Sequence, residues 1–156
     1  MTTNLVSGSE SHIGCPVGPT SIGRLIGSGH TDVVMDVLQV AQHADDLDRA
    51  RDFYSRLLGA QPAGFFDPPG LLFFQAGSVR LLLEQGAPSA LLYLKVDDLG
   101  ATVEKLRAEG VEIIADPELI FTHTDDRLGP AGTAEHMAFF RDSEGNTVGL
   151  VGHGPA

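Results

Sequence analysis

From Val37 to His43 the chain alternates, with Val37, Gln39, Ala41 and His43 on one side of an extended segment and Leu38, Val40 and Gln42 on the other. Asp45 and Asp46 follow, short carboxylates placed where a helix needs acceptors for its unpaired backbone N–H groups. Leu47, Ala50, Phe53 and Leu57 then recur at helical spacing, with Arg49, Arg51 and Arg56 on the other faces, and Gly59 stands as the stop. The pattern predicts a strand, a capped start and an amphipathic helix.

The same order returns from Leu91, where LLYLKVDDLGATVEKLRAEG repeats the strand, the Asp97-Asp98-Leu99 start and the closing Gly110, 52 positions on from Asp45 when counted at Asp97. A second match sets Phe73-Phe74 and Gly77 against Phe139-Phe140 and Gly145. Two matches in the same order predict an internal duplication, each half reading strand, helix, strand, turn, strand. Within the first half, Gln61 to Gly70 reads as a loop, broken by Pro62 and by Pro68-Pro69-Gly70. Leu71–Gln75 and Val79–Glu84 read as strands joined at Ala76-Gly77-Ser78, and Gly86-Ala87-Pro88-Ser89 as a linker. In the second half Val111–Ile114 reads as a short strand. The Phe-Phe pairs lie 66 apart against 52 for the Asp-Asp pairs, so 14 extra residues fall between Leu119 and Met137. They read as an inserted loop carrying His123 and His136.

Residues 1–34 are rich in Gly, Ser and Thr, hold no sustained period and read as a flexible N-terminal extension. They lack the basic start and apolar run of a signal peptide, and Met35, directly before the first strand, reads as a second candidate start of translation. The expected organisation is therefore an extension (1–34), a first module (35–86) and a second (89–152). With 156 residues and 42% hydrophobic content the chain can bury its own core. Its net charge of −11, with no run among ten Lys and Arg residues, argues against nucleic acid as a partner. No apolar stretch nears the ~20 residues of a membrane span. The single Cys15 excludes an intrachain disulfide and suits a reducing compartment, so a cytoplasmic location is expected.

The two motifs QVAQHADDLDRARDFYSRLLG and FRDSEGNTVGL resemble the opening and closing patterns of the vicinal oxygen chelate superfamily, which includes glyoxalase I, extradiol dioxygenases and bleomycin resistance proteins. The resemblance spans about residues 35–152. It implies an α+β fold, two tandem βαβββ modules whose sheets curve into a cup around a ligand. Metal-dependent members hold a divalent ion at four positions of that cup. Carried over one at a time, these positions fall on Gln39, Leu81, Leu91 and Gly149, with Leu81 and Gly149 placed as equivalents four residues beyond Gly77 and Gly145. Leucine and glycine side chains offer no lone pair, whereas a transition-metal site needs three or four N, O or S donors. No metal at the family positions and no other cofactor is expected, with a divalent ion on His43, His123 and His136 left open.

The remaining polar groups set the candidate chemistry. His43, Tyr93 and Lys95 share the family's inward direction and are the candidate acid, base or oxyanion-stabilising residues; Gln39, Leu81, Leu91, His123, His136 and Gly149 are the candidate ligand-binding set. Each has a plainer reading: a partly solvated histidine, a rim lysine, exposed loop histidines. Three function classes follow. The first is a binder of a small, partly hydrophobic oxygenated organic molecule, without the family metal. The second is a lyase or isomerase working through His, Tyr and Lys groups or an unconventional metal site. The third is a non-catalytic interaction module. A small-molecule ligand and a homodimer are the expected partners.

Overall fold

The computed structural model describes residues 36–156. The extension, Cys15 and the Met35 start lie outside the described residues. The first sheet holds β1 (Gln39–His43), β2 (Gly64–Phe66), β3 (Leu71–Ala76) and β4 (Val79–Glu84), in the order β1-β4-β3-β2. The second holds β5 (Leu92–Lys95), β6 (Ile113–Thr122), β7 (Thr133–Arg141) and β8 (Thr147–Pro155), in the order β5-β8-β7-β6. In each sheet the first strand lies parallel to the last and the other neighbours are antiparallel. With one helix per half, α1 (Leu47–Leu58) and α2 (Leu99–Ala108), the duplicated sequence folds as a duplicated βαβββ unit.

The helix starts follow from the Asp-Asp pairs. Asp46 caps α1 by accepting from Arg49 N at 2.9 Å, and Asp98 caps α2 by accepting from Ala101 N at 2.8 Å. Gly59 ends α1 with φ 62°, a left-handed conformation that favours glycine.

Two segments depart from the expected pattern. The loop Gln61–Gly70 contains β2, whose Gly64–Phe66 pairs with Leu71–Phe73. It is a three-residue edge strand directly before Asp67-Pro68-Pro69-Gly70, so turn residues mask it. The insertion between Leu119 and Met137 is strand at both ends, around a tip loop at 123–132. It lengthens β6 and β7 into a hairpin arm, closed where His123 N donates to Thr133 O at 2.8 Å and Gly132 N donates to His123 O at 2.8 Å. Register shifts along β6, near Asp116-Pro117, break the alternation that would have announced a ten-residue strand.

One face of each sheet packs against the helices. Tyr54, Phe74, Phe140, Leu72, Leu83, Val103, Val148 and Leu150 are all under 2% exposed and belong to one cluster drawn from both halves. Phe53 bridges them, 5.5 Å from Tyr54 and 6.4 Å from Phe140 by ring centroids. The closing motif supplies the polar seam. Tyr54 OH donates to Asp142 Oδ2 at 2.7 Å, and Asn146 Nδ2 donates to the same oxygen at 2.8 Å and to His43 O at 2.9 Å. Burial first, then the Asp142 carboxylate, push the Tyr54 phenol far above its ordinary range. Beside it Glu144 takes a two-pronged bond from Arg49, both contacts 2.8 Å, and accepts from the backbone N of Asp45 and Asp46 at 3.0 Å. The Asp142–Asn146 turn therefore ties the second half to the start of the first helix.

Candidate functional site

The face of each sheet turned away from the helices is set by register. Gln39 pairs with Arg80, Ala41 with Leu82 and His43 with Glu84, so these six share one face. Val40 pairs with Leu81, whose side chain is 4% exposed and sits in the core cluster. The equivalence of Leu81 with Gly149 therefore needs correcting by one residue. Phe74 pairs with Leu81 and Phe140 with Val148, while the connecting turns are Gly77-Ser78 in the first half and Asp142–Asn146 in the second. Six residues separate the first pair and seven the second. Counting from the glycines hides that extra residue, and the true counterpart of Gly149 is Leu82.

In the second sheet Tyr93 pairs with Gly149, and Phe139 pairs with Gly149 from the other side. Gly149 is where the family resemblance calls for a carboxylate. A Cβ there would stand 2.6 Å from Tyr93 Cδ1 and 3.2 Å from Phe139 Cε1, so the Tyr93 ring fills the space a side chain would need. Tyr93 meets Phe139 edge-on at 6.0 Å. The corrected family quartet, Gln39, Leu82, Leu91 and Gly149, still offers one amide and no other donor, and does not fit the family metal.

Three of the sequence-predicted residues, Leu81, Tyr93 and Lys95, line a single cleft of about 670 Å³ between the two halves. Its remaining wall is mostly apolar, with Val40, Leu57, Leu58, Leu92, Leu94 and Leu150, while Gln75, Arg80 and Thr102 add polar groups. Gln39 and Leu91 stay outside it and are exposed. His43 is also outside. Its Nδ1 lies 3.2 Å from Ala87 O and its Nε2 3.3 Å from Asp45 Oδ1. The bond to Asp45 is the main cause that raises its pKa, partial burial opposing. With both ring nitrogens engaged, His43 is held as a bracket between the first strand and the linker.

His123 and His136 do not join His43. His123 is 2% exposed and its ring lies 5.3 Å from that of His153, with Nε2 3.1 Å from Glu135 Oε2. His136 sits one residue along β7, on the opposite face, beside Asp97 and Asp98. Glu135 and His153 were not singled out by sequence. They oppose each other across β7 and β8, a pairing that follows directly once Phe139 is set against Gly149.

Residues 36–150 match the family model of the Glyoxalase/Bleomycin resistance protein/Dioxygenase superfamily. The chain belongs to this superfamily. A glyoxylase-like domain-containing protein of Didymella fabae is 30% identical over 116 residues, covering 67% of this chain and 83% of the relative. Among solved structures, TnmS3, an antibiotic-binding protein from Streptomyces sp. CB03234, aligns with TM-score 0.60 at 23% identity, over 80% of this chain and 98% of that one. A lactoylglutathione lyase from Agrobacterium tumefaciens aligns with TM-score 0.54 at 20% identity, over 77% and 95%. At these identities the solved structures establish the shared fold. No helix among the described residues is long and apolar enough to cross a membrane.

Proposed function

We propose that the protein binds a small, carbon-rich, oxygenated organic molecule in the cleft between its halves, and does so without a metal at the family positions. The observation that carries this is the composition of that cleft: an apolar wall of about 670 Å³ with Tyr93, Lys95, Arg80 and Gln75 at its margin. Such a surface desolvates a hydrocarbon skeleton while a few convergent polar groups orient its oxygens. The two cations favour a carbonyl, phenolate or carboxylate oxygen over a basic group. An antibiotic-binding protein of the same fold supports binding as a use for this scaffold.

The test is a thermal-shift screen of carbon-rich oxygenated compounds against the wild type, repeated on Lys95→Ala and Tyr93→Ala. Hits should raise Tm in the wild type and lose at least half of that shift in each variant. Hits that are uniformly polar sugars or phosphates, or that bind both variants as they bind the wild type, would place the ligand elsewhere.

A further inference from the structure

We propose that His123, Glu135 and His153 form a binding site for a divalent transition-metal ion at the closed end of the hairpin arm, beside its tip loop. Glu135 Oε2 lies 3.1 Å from His123 Nε2 and 3.2 Å from His153 Nε2, and the donor atoms of the three residues all lie within 4.8 Å of one another. Zinc takes histidine nitrogen and carboxylate oxygen at about 2.0–2.2 Å, and two such bonds at a tetrahedral angle set their donors roughly 3.3 Å apart. The two measured separations match that edge.

The state of the imidazoles points the same way. His153 has neither ring nitrogen in a hydrogen bond among the described residues, although both are buried and Nε2 is only 3.2 Å from a carboxylate oxygen. The contact has the distance of an interaction without the direction of a hydrogen bond. A buried polar atom left so is costly. A cation between the two Nε2 atoms and Glu135 gives both of those lone pairs a partner; Nδ1 then carries the proton of each ring and is buried without a partner among the described residues.

The fold also holds the donors in place. His123 is fixed by its backbone bond to Thr133 and by the edge of the Phe121 ring at 5.0 Å. The tip loop crosses its ring at Gly129, where a Cβ would come within 2.5 Å of Nε2. Two imidazoles and one carboxylate are a donor set that suits Zn²⁺, Co²⁺, Ni²⁺ or Fe²⁺ and not the all-oxygen sites of Ca²⁺ or Mg²⁺. The site is distinct from the family metal positions. It lies four residues along β8 from Gly149, about 13 Å at strand spacing, and draws on a segment the first half lacks.

The experiment uses the full chain, stripped with chelator, desalted and dialysed against Zn²⁺, with bound metal counted by elemental analysis. Co²⁺ is the spectroscopic probe, its visible bands reporting coordination number. The wild type should take one ion per chain. Glu135→Gln and His153→Gln should fall to background while keeping wild-type circular dichroism. His136→Ala, one residue away on the opposite face, should keep full binding. A second readout does not require the variants to be equally stable: Zn²⁺ should slow tryptic cleavage after Arg127 in the tip loop of the wild type, and not in His153→Gln. Absence of stoichiometric Zn²⁺ in the wild type would overturn the site, and so would binding that survives both Glu135→Gln and His153→Gln. Because neither Lys95 nor Tyr93 touches these donors, failure of the cleft and failure of the metal site are read by different variants.

Discussion

At the scale of single residues, the most informative side chain is one that is missing. Gly149 occupies a position where the superfamily resemblance implies a carboxylate, and the Tyr93 ring has taken its volume. Gly149→Ala should therefore cost about 1–3 kcal/mol through overpacking against Tyr93 and Phe139. Tyr93→Ala should remove most of that penalty, so a double-mutant cycle in urea unfolding should show strong coupling between the two. Additive effects would mean that Tyr93 does not lean on Gly149. The Tyr54 hydroxyl gives a second case. Tyr54→Phe keeps the ring that packs on Phe53 and Phe74 and deletes only the bond to Asp142, so a loss of about 1–3 kcal/mol is expected in the same measurement. That Tyr54 serves the seam was not visible in the sequence, where Leu47, Ala50, Phe53 and Leu57 mark the helix face. The partner of its hydroxyl lies 88 residues away.

At the scale of elements, what was legible was whatever local chemistry decides. The caps at Asp46 and Asp98, the stop at Gly59 and the repeated strand-helix order all follow from short-range backbone requirements. What was hidden depends on pairing across the sheet. The strand Gly64–Phe66 exists because Leu71–Phe73 offers it an edge, and the arm strands pair despite Pro117 because bulges absorb the misfit. The one-residue difference between the Phe74–Leu81 and Phe140–Val148 spacings moved the family's position on the first module's last strand from the open face at Leu82 to the core at Leu81. Glu135 and His153 were missed because only the pairing of β7 with β8 sets them opposite each other. The Asp142–Asn146 turn makes a prediction about acid. Burial alone would raise the Glu144 carboxyl, but bonds from Arg49, Asp46 N and Ser143 outweigh it and hold the group below the ordinary value of 4.5. A depressed carboxyl contributes stability that is present above the unfolded value and lost as pH falls through the folded one. Unfolding free energy measured from pH 6 downward should therefore drop less steeply in Glu144→Gln than in the wild type. Equal slopes would remove Glu144 from the acid response.

At the scale of the whole molecule, the duplication invites the expectation of two units that fold separately, and the packing argues otherwise. Tyr54 and Leu81 from the first half share one buried cluster with Phe140, Val148 and Leu150 from the second, and Phe53 touches both Tyr54 and Phe140. The polar seam adds bonds that a lone half must leave unmade, including Tyr54 to Asp142, Arg49 to Glu144 and Asn146 to His43 O. Each sheet also keeps an apolar face that only its own helix and the other half cover. A half of roughly 60 residues buries a small share of its surface and sits near the limit of independent stability. Separating the halves would expose shared core residues worth about 2–5 kcal/mol each when truncated. The described residues should thus unfold in one transition, with far-ultraviolet circular dichroism for the sheets and near-ultraviolet signal from the two tyrosines, Tyr54 at the seam and Tyr93 on β5, giving the same urea midpoint and slope. Segment 89–156 expressed alone should lack a cooperative transition. Two separated midpoints in the full chain, or a cooperatively folding second half, would show that the shared cluster is an interface between finished domains and not a common core.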